Sequence, residues 1–187
     1  MEIYFIRHGK TKGNLERRYI GRTDEPLCES GICELKAHNY PKADFVISSP
    51  MKRCQQTANI IFPNQSKIIF DGLQECDFGD FEGKNYKELC ANKKYLHWLE
   101  SKGTLPFPNG ESHKEFVRRC VKAFADSVSM CEEYKKIAYV IHGGTIMAIM
   151  EEFAVPKKSF YDYQIKCGCG YKCVYDCKKI TIAGEIS

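Results

Sequence analysis

The chain has 187 residues, 43% of them hydrophobic, which suits a single domain with one sizeable core. Its 28 basic and 24 acidic residues leave a net charge of only +4, and no basic run is longer than pairs such as Arg17-Arg18 and Lys157-Lys158. That pattern excludes an extended nucleic-acid face, reads the pairs as solvated surface, and remains compatible with a small anionic substrate. The first residues lack the basic leader and small-residue cleavage site of a secretory signal, and no apolar run approaches the ~20 residues of a membrane span. The expectation is a cytoplasmic protein with no membrane partner. Eleven cysteines, an odd number, make a disulfide framework an unattractive reading in that compartment.

In chain order, Ile3-Tyr4-Phe5-Ile6 reads as a buried first strand. Phe45-Val46-Ile47 reads as a second, leading into Ser49-Pro50, which has the form of an N-cap followed by proline at the first helical position. Met51, Cys54, Ala58 and Ile61 then form one apolar stripe. Ile68-Ile69-Phe70 predicts a third strand, Tyr86 to Leu99 a helix, and Gly103 to Gly110, with two prolines, a loop. Ser112 with Glu115 forms a capping box ahead of a clear helical period running from Phe116 to Cys131. Ile137 to Ile141 predicts a buried strand, with a helix following Thr145; Tyr171 to Asp176 predicts a weaker strand. Continuous apolar strands suit a parallel sheet covered on both faces. The predicted fold is therefore a three-layer α/β sandwich, a mostly parallel central sheet of about six strands flanked by helices. The whole chain, 1–187, forms one domain, with residues from about 83 to 134 as a helical cap near the site.

Two of these strands end in histidine: Arg7-His8-Gly9 and His142-Gly143-Gly144. Ligands of open α/β sheets bind outside the carboxyl ends of the strands, so two histidines distant in sequence can meet at one edge. Glycine beside each lets the backbone approach a ligand. The strand Phe45-Val46-Ile47 leads to a helix whose first turn carries Arg53, and Asn14 lies in the loop after the first strand. Two arginines, two histidines and a helix N-terminus describe a phosphate pocket.

These residues resemble the motifs of the histidine phosphatase superfamily, the phosphoglycerate-mutase-like proteins. The resemblance runs through Arg7-His8-Gly9 with Thr11 and Asn14, Gly21 with Asp24, Pro26, Leu27 and Gly31, and Ser48-Ser49-Pro50 with Arg53, Gln56, Thr57 and Ala58. It continues through Leu73, Glu75, Phe78-Gly79 and Glu82-Gly83 to Gly110-Glu111-Ser112 and His142-Gly143-Gly144, six segments in the family's order. It implies a phosphoglycerate-mutase-like fold and phosphomonoester hydrolysis through a phosphohistidine, without metal or cofactor. It also implies His8 as nucleophile, Glu75 as proton donor and then base, and Arg7, Arg53 and His142 as phosphoryl clamps. Asn14, Gly21 and Gly143 would add phosphate contacts. Glu82 reads as a structural hydrogen-bonder and not as the acid.

The chain leaves only Asn85 to Asn109 where phosphoglycerate mutases of this type carry a longer insertion with an Arg-Arg pair. This and the Leu73 to Gly83 run resemble the α-ribazole phosphatase branch, which acts in cobalamin synthesis. A broad sugar-phosphate phosphatase and a phosphoglycerate mutase are the alternatives, and a non-catalytic phosphate-binding protein is the reading from a different class. Cys167, Cys169, Cys173 and Cys177 do not follow a usual zinc spacing and are expected to be small hydrophobes. Arg22 and Lys12 read equally as pocket residues or solvated charges. His38, His97 and His113 carry no motif. The sequence leaves the oligomeric state open.

Overall fold

The computed structural model describes residues 1–101 and 103–187. The chain runs β1 (Glu2–Arg7), α1 (Lys12–Leu15), α2 (Glu29–Ala37), β2 (Phe45–Ser48), α3 (Lys52–Ile61) and β3 (Lys67–Ile69). It continues through α4 (Tyr86–Leu89), α5 (Lys93–Glu100), α6 (His113–Ser129), β4 (Lys136–Ile141) and α7 (Gly143–Phe153), and ends in β5 (Gly170–Asp176) and β6 (Lys179–Ile186).

The six strands form one sheet in the order β3-β2-β4-β1-β5-β6. The first four are parallel, and β5 and β6 add an antiparallel hairpin beside β1. Successive side chains of β1 and β4 go to opposite faces, and both faces are buried. Ile3, Phe5, Ile137, Tyr139 and Ile141 join the core on the α6/α7 side. Tyr4, Ile6, Ala138 and Val140 join the one that holds Cys54, Ala58 and Phe62 of the α3 segment. This is the expected three-layer α/β sandwich.

The strongest local signal, the Ser112 capping box, is formed: the Ser112 hydroxyl accepts from the Glu115 amide, and the Glu115 carboxylate accepts from the Ser112 amide. Phe116, Cys120, Ala123, Phe124, Ser127 and Val128 share the buried face of α6. Full burial of each large apolar side chain contributes about 1.5–3 kcal/mol, so this helix belongs to the main core. The expected cap over 83–134 is consequently smaller. Phe81, Leu89, Tyr95 and Trp98 form a separate cluster with Tyr19, and Phe78 and Phe107 pack against both this cluster and the main core.

Other boundaries also differ. The predicted helix over 86–99 is two helices, because the Asn92 side chain accepts from the Lys94 and Tyr95 amides and starts a new one. α3 begins at Lys52, not at Pro50; Ser49 does not cap it. Its first amide, on Lys52, instead donates to the Asp24 carboxylate at 2.7 Å from a distant loop. α7 starts at Gly143, two residues before Thr145. Among the described residues no helix is long and apolar enough to cross a membrane.

Candidate active site

Parallel pairing of β1 with β4 sets Arg7 opposite Ile141. His8 and His142 therefore each sit one residue beyond a paired strand end, and the His8 amide donates to the Ile141 carbonyl at 2.9 Å. Their rings meet edge to face with centroids 5.2 Å apart. His8 is 4% exposed, while His142 and Arg53 are fully buried behind it.

His8 Nδ1 lies 2.7 Å from the Gly9 carbonyl oxygen. A carbonyl can only accept, so Nδ1 carries the proton and Nε2 keeps its lone pair. Burial, then the positive charges of Arg53 and Arg7, hold the His8 imidazole well below its ordinary value of 6.5. Burial and Arg53, with His8 and Arg7, do the same to His142. Both rings are neutral near pH 7, the form in which an imidazole can attack an electrophile.

Arg53 is held on three sides. Its Nη1 donates to the Thr23 carbonyl at 2.7 Å, its Nη2 to the Gly21 carbonyl at 2.8 Å, and its Nε to His142 Nδ1 at 3.3 Å. With Nδ1 accepting, His142 Nε2 is the protonated nitrogen and faces the Ser49 hydroxyl at 2.8 Å. Arg7 donates from Nη1 to the Ile165 carbonyl at 2.7 Å, but its buried Nε has no partner among the described residues. An unpaired buried donor costs about 1–3 kcal/mol, and an anionic oxygen at this spot would satisfy it. The guanidinium groups thus supply fixed positive charge beside the two imidazoles.

Glu75 is 8% exposed and is held by two amides. Cys76 N–H donates to Oε1 and Gly144 N–H to Oε2, each at 3.0 Å. The second comes from the first turn of α7. The backbone carrying Glu75 is fixed by Arg119 of α6, which donates to the carbonyls of Gly72, Gln74 and Glu75 at 2.9–3.2 Å. The same guanidinium bridges to Glu111 with two bonds of 2.8 Å. Burial raises the Glu111 pKa, yet Arg119 and the Asp77 amide outweigh it and the carboxyl ends below its ordinary value. Arg119, the Ser49 hydroxyl and Gly144's hold on Glu75 have no counterpart in the roles read from the sequence. Arg119 is held largely by backbone carbonyls, which leave no residue pattern, and the Ser49 and Gly144 contacts join residues far apart in sequence.

The other expected residues fall as follows. Asn14 lines the cavity with Arg7 and His8, its Oδ1 accepting from the Thr11 amide at 3.1 Å. Gly143 lines it as well. Gly21 does not: its amide donates to Glu82 at 2.9 Å and its carbonyl accepts from Arg53. A Cβ there would lie 1.9 Å from the Cys76 carbonyl oxygen, so only glycine permits this crossing. Glu82 accepts from the Gly21 and Thr23 amides and ties that loop to the acidic segment, a structural role. Arg22 hydrogen-bonds Gln74 outside the cavity, and Lys12 is solvated. His113, in contrast, lines the cavity and faces Glu151 at 3.5 Å. Cys173 is buried among apolar side chains, Cys167 and Cys169 are half-buried, and Cys177 is exposed in the β5–β6 turn.

The site opens into a cavity of about 1080 Å³. His8, Arg7, Glu75 and Gly144 lie at its base; Tyr19, Phe78, Trp98, Phe107, Phe116 and Phe160 supply most of its ring surface.

The pattern of the histidine phosphatase superfamily (branch 1) matches residues 3–184. The chain belongs to that superfamily. It is 26% identical to an adenosylcobalamin/alpha-ribazole phosphatase of Salmonella typhimurium, over 90% of this chain and 88% of the relative. It is 32% identical to a 2,3-bisphosphoglycerate-dependent phosphoglycerate mutase of Gloeobacter violaceus, over 80% and 74%. The crystal structure of the alpha-ribazole phosphatase from Shigella flexneri superposes with a TM-score of 0.88 at 24% identity, covering 100% of this chain and 96% of that one. In this histidine phosphatase the Arg53 guanidinium is held against His142, whose ring meets that of His8.

Proposed function

We propose that this histidine phosphatase hydrolyses a phosphomonoester with a large, flat, apolar leaving group, and that α-ribazole 5′-phosphate is its substrate. The observation that carries the reading is the aromatic cavity opening directly from His8 and Glu75. Its volume of about 1080 Å³ exceeds what a triose needs and suits a nucleoside-sized group. Polar side chains also line it, among them Thr104, His113, Glu151 and Gln164, so the preference over a sugar phosphate rests on the aromatic surface and the volume. The mutase reading rests on Lys114 and Arg118, which lie at the cavity's outer wall and offer charge for a second anion.

In the proposed mechanism His8 Nε2 attacks phosphorus, and the bond to the leaving oxygen breaks as Glu75 delivers its proton to that oxygen. Arg7, Arg53 and His142 stabilise the equatorial oxygens, with Asn14 and the Gly143 amide as further donors. Water then attacks the phosphohistidine, Glu75 takes its proton, and the N–P bond breaks. Inorganic phosphate leaves, and His8 returns to its neutral form.

The test compares kcat/KM for α-ribazole 5′-phosphate with those for sugar phosphates, phosphoserine and phosphoglycerates. A preference below about tenfold, or ~1.4 kcal/mol in the transition state, would favour a general phosphatase. Rapid interconversion of 2- and 3-phosphoglycerate would favour the mutase. In parallel, acid-labile and base-stable label should be trapped on wild-type protein and be absent from His8→Ala. Acid-stable label would refute the phosphohistidine.

A further inference from the structure

A second cavity, of about 750 Å³, adjoins the aromatic one and shares Arg7, Asn14, Arg18 and Gln164 with it. The proposed reaction does not use it. Its side-chain charges are five cations, Arg7, Lys10, Arg17, Arg18 and Lys166, against the single carboxylate of Glu34. Lys10 is paired with Glu34 at 2.6 Å, and Arg18 with Glu16 at 2.5 Å and Glu88 at 2.6 Å. Arg17 and Lys166 have no ion-pair partner among the described residues. Two cations without an ion-pair partner thus face one concavity, together with Arg7 and the paired Lys10 and Arg18.

Arg17 is placed there at a cost. It follows the short helix α1 with φ of 55°, the left-handed conformation that usually belongs to glycine at a helix end. Its amide donates to the Asn14 carbonyl at 3.1 Å and the Arg18 amide to the Gly13 carbonyl at 2.9 Å, which fixes the turn. A long basic side chain at a glycine-type position is unfavourable on local grounds alone. The Arg17-Arg18 pair therefore divides: Arg18 is structural, and Arg17 is presented to the cavity.

We propose that this second cavity binds a compact polyanion carrying two or more phosphate groups, and that its occupation weakens binding at the catalytic phosphate site through the shared Arg7. Among the described residues, Arg17, Lys166 and the shared Arg7 are three cations without an ion pair, more charge than one phosphate dianion carries, and a di- or triphosphate matches it. The same chemistry is offered by inorganic polyphosphate and by the phosphate tail of a nucleotide. The coupling rests on the role read above for Arg7; the binding does not.

The test titrates the full chain calorimetrically with inorganic tripolyphosphate, without and with saturating orthovanadate, which by reciprocity weakens the second site by the same factor that tripolyphosphate weakens vanadate binding. One further site is expected, weakened about tenfold or more in the Arg17→Ala/Lys166→Ala double variant. Without added polyanion, that variant should keep kcat/KM for p-nitrophenyl phosphate within about twofold of wild type. Tripolyphosphate should raise KM in wild type and much less in the double variant. Adenosine triphosphate is the second arm: tighter binding than tripolyphosphate identifies a nucleotide, and equal binding identifies the phosphates alone. No heat beyond that of vanadate, equal affinity in wild type and double variant, or the same effect from sulfate at matched ionic strength would overturn the site. An inactive protein that still shows the Arg17- and Lys166-dependent binding would overturn the catalytic reading and leave the site standing.

Discussion

Gly144→Ala tests how Glu75 is held. A Cβ at this position would meet Glu75 Oε1 at 2.3 Å and its Cδ at 3.1 Å, whereas ordinary contact begins near 3.4 Å. The carboxylate must therefore retreat by about 1 Å, and its 3.0 Å bond from the Gly144 amide is distorted. The neighbour that moves is the end of a side chain, so stability should fall by only about 1–3 kcal/mol, the usual range for overpacking. Catalysis should suffer more. A misplacement of ~1 Å can cost ~10²-fold in rate, and the loss should follow the need for a proton. For an alkyl phosphate, whose leaving oxygen requires protonation, kcat/KM should drop by about that factor. For p-nitrophenyl phosphate, whose leaving group departs as an anion, kcat/KM should change little. Rapid-quench measurements should then show a burst of nitrophenol, because water attack on the phosphohistidine still needs Glu75 as base. An equal fall in kcat/KM for both substrates would refute the acid assignment and make Glu75 a positioning group.

Arg119→Ala should lower stability by about 2–4 kcal/mol, somewhat below the 3–5 of a fully buried pair because Arg119 is partly exposed, and should reduce kcat; Arg119→Lys should recover little, since a single ammonium cannot reach three carbonyls and Glu111 together. Urea titrations across pH give a signed test of the two imidazoles. Their folded-state pKa values are depressed, so below about 6.5 the unfolded chain takes up protons that the folded chain refuses. Stability should fall with decreasing pH by up to ~1.4 kcal/mol per unit for each ring, and a His142→Gln variant that keeps the full slope would contradict this. Since Arg7 and Arg53 supply the charge, activity should survive EDTA and be inhibited by vanadate; complete loss restored by a divalent ion would sink the claim.

The parallel half of the sheet was legible because β1, β2 and β4 are buried on both faces and spell continuous apolar runs. β6 was not, since its Lys179–Ile186 segment is an edge strand with mostly exposed or half-exposed side chains. The β5–β6 connection hides itself as well: Cys177 and Lys178 adopt φ of 48° and 59°, a turn that asparagine or glycine would have announced. α2 escaped because only Gly31 and Leu35 of its residues are buried. At the site, His8 and Glu75 line one cavity, the fully buried His142 meets the His8 ring and Arg53, and Gly21 is spent on holding Arg53. Ser49 has the local pattern of a helix cap, yet a distant aspartate takes that place and leaves its hydroxyl for His142. Such substitutions of a tertiary partner for a local one leave no trace in spacing.

The pairing of Arg7 with Ile141 has a consequence for how the enzyme is born. The two histidines sit on strands from opposite ends of the chain, and neither can find the other until β1 and β4 lie side by side. Such non-local parallel pairing is slow, because closing the loop precedes any gain from contact. Helix α6 carries its own cap and periodicity and needs no distant partner to begin. On refolding from urea, the far-ultraviolet helical signal should therefore return first, and catalytic turnover should lag behind it as a clock for the closure of the central sheet.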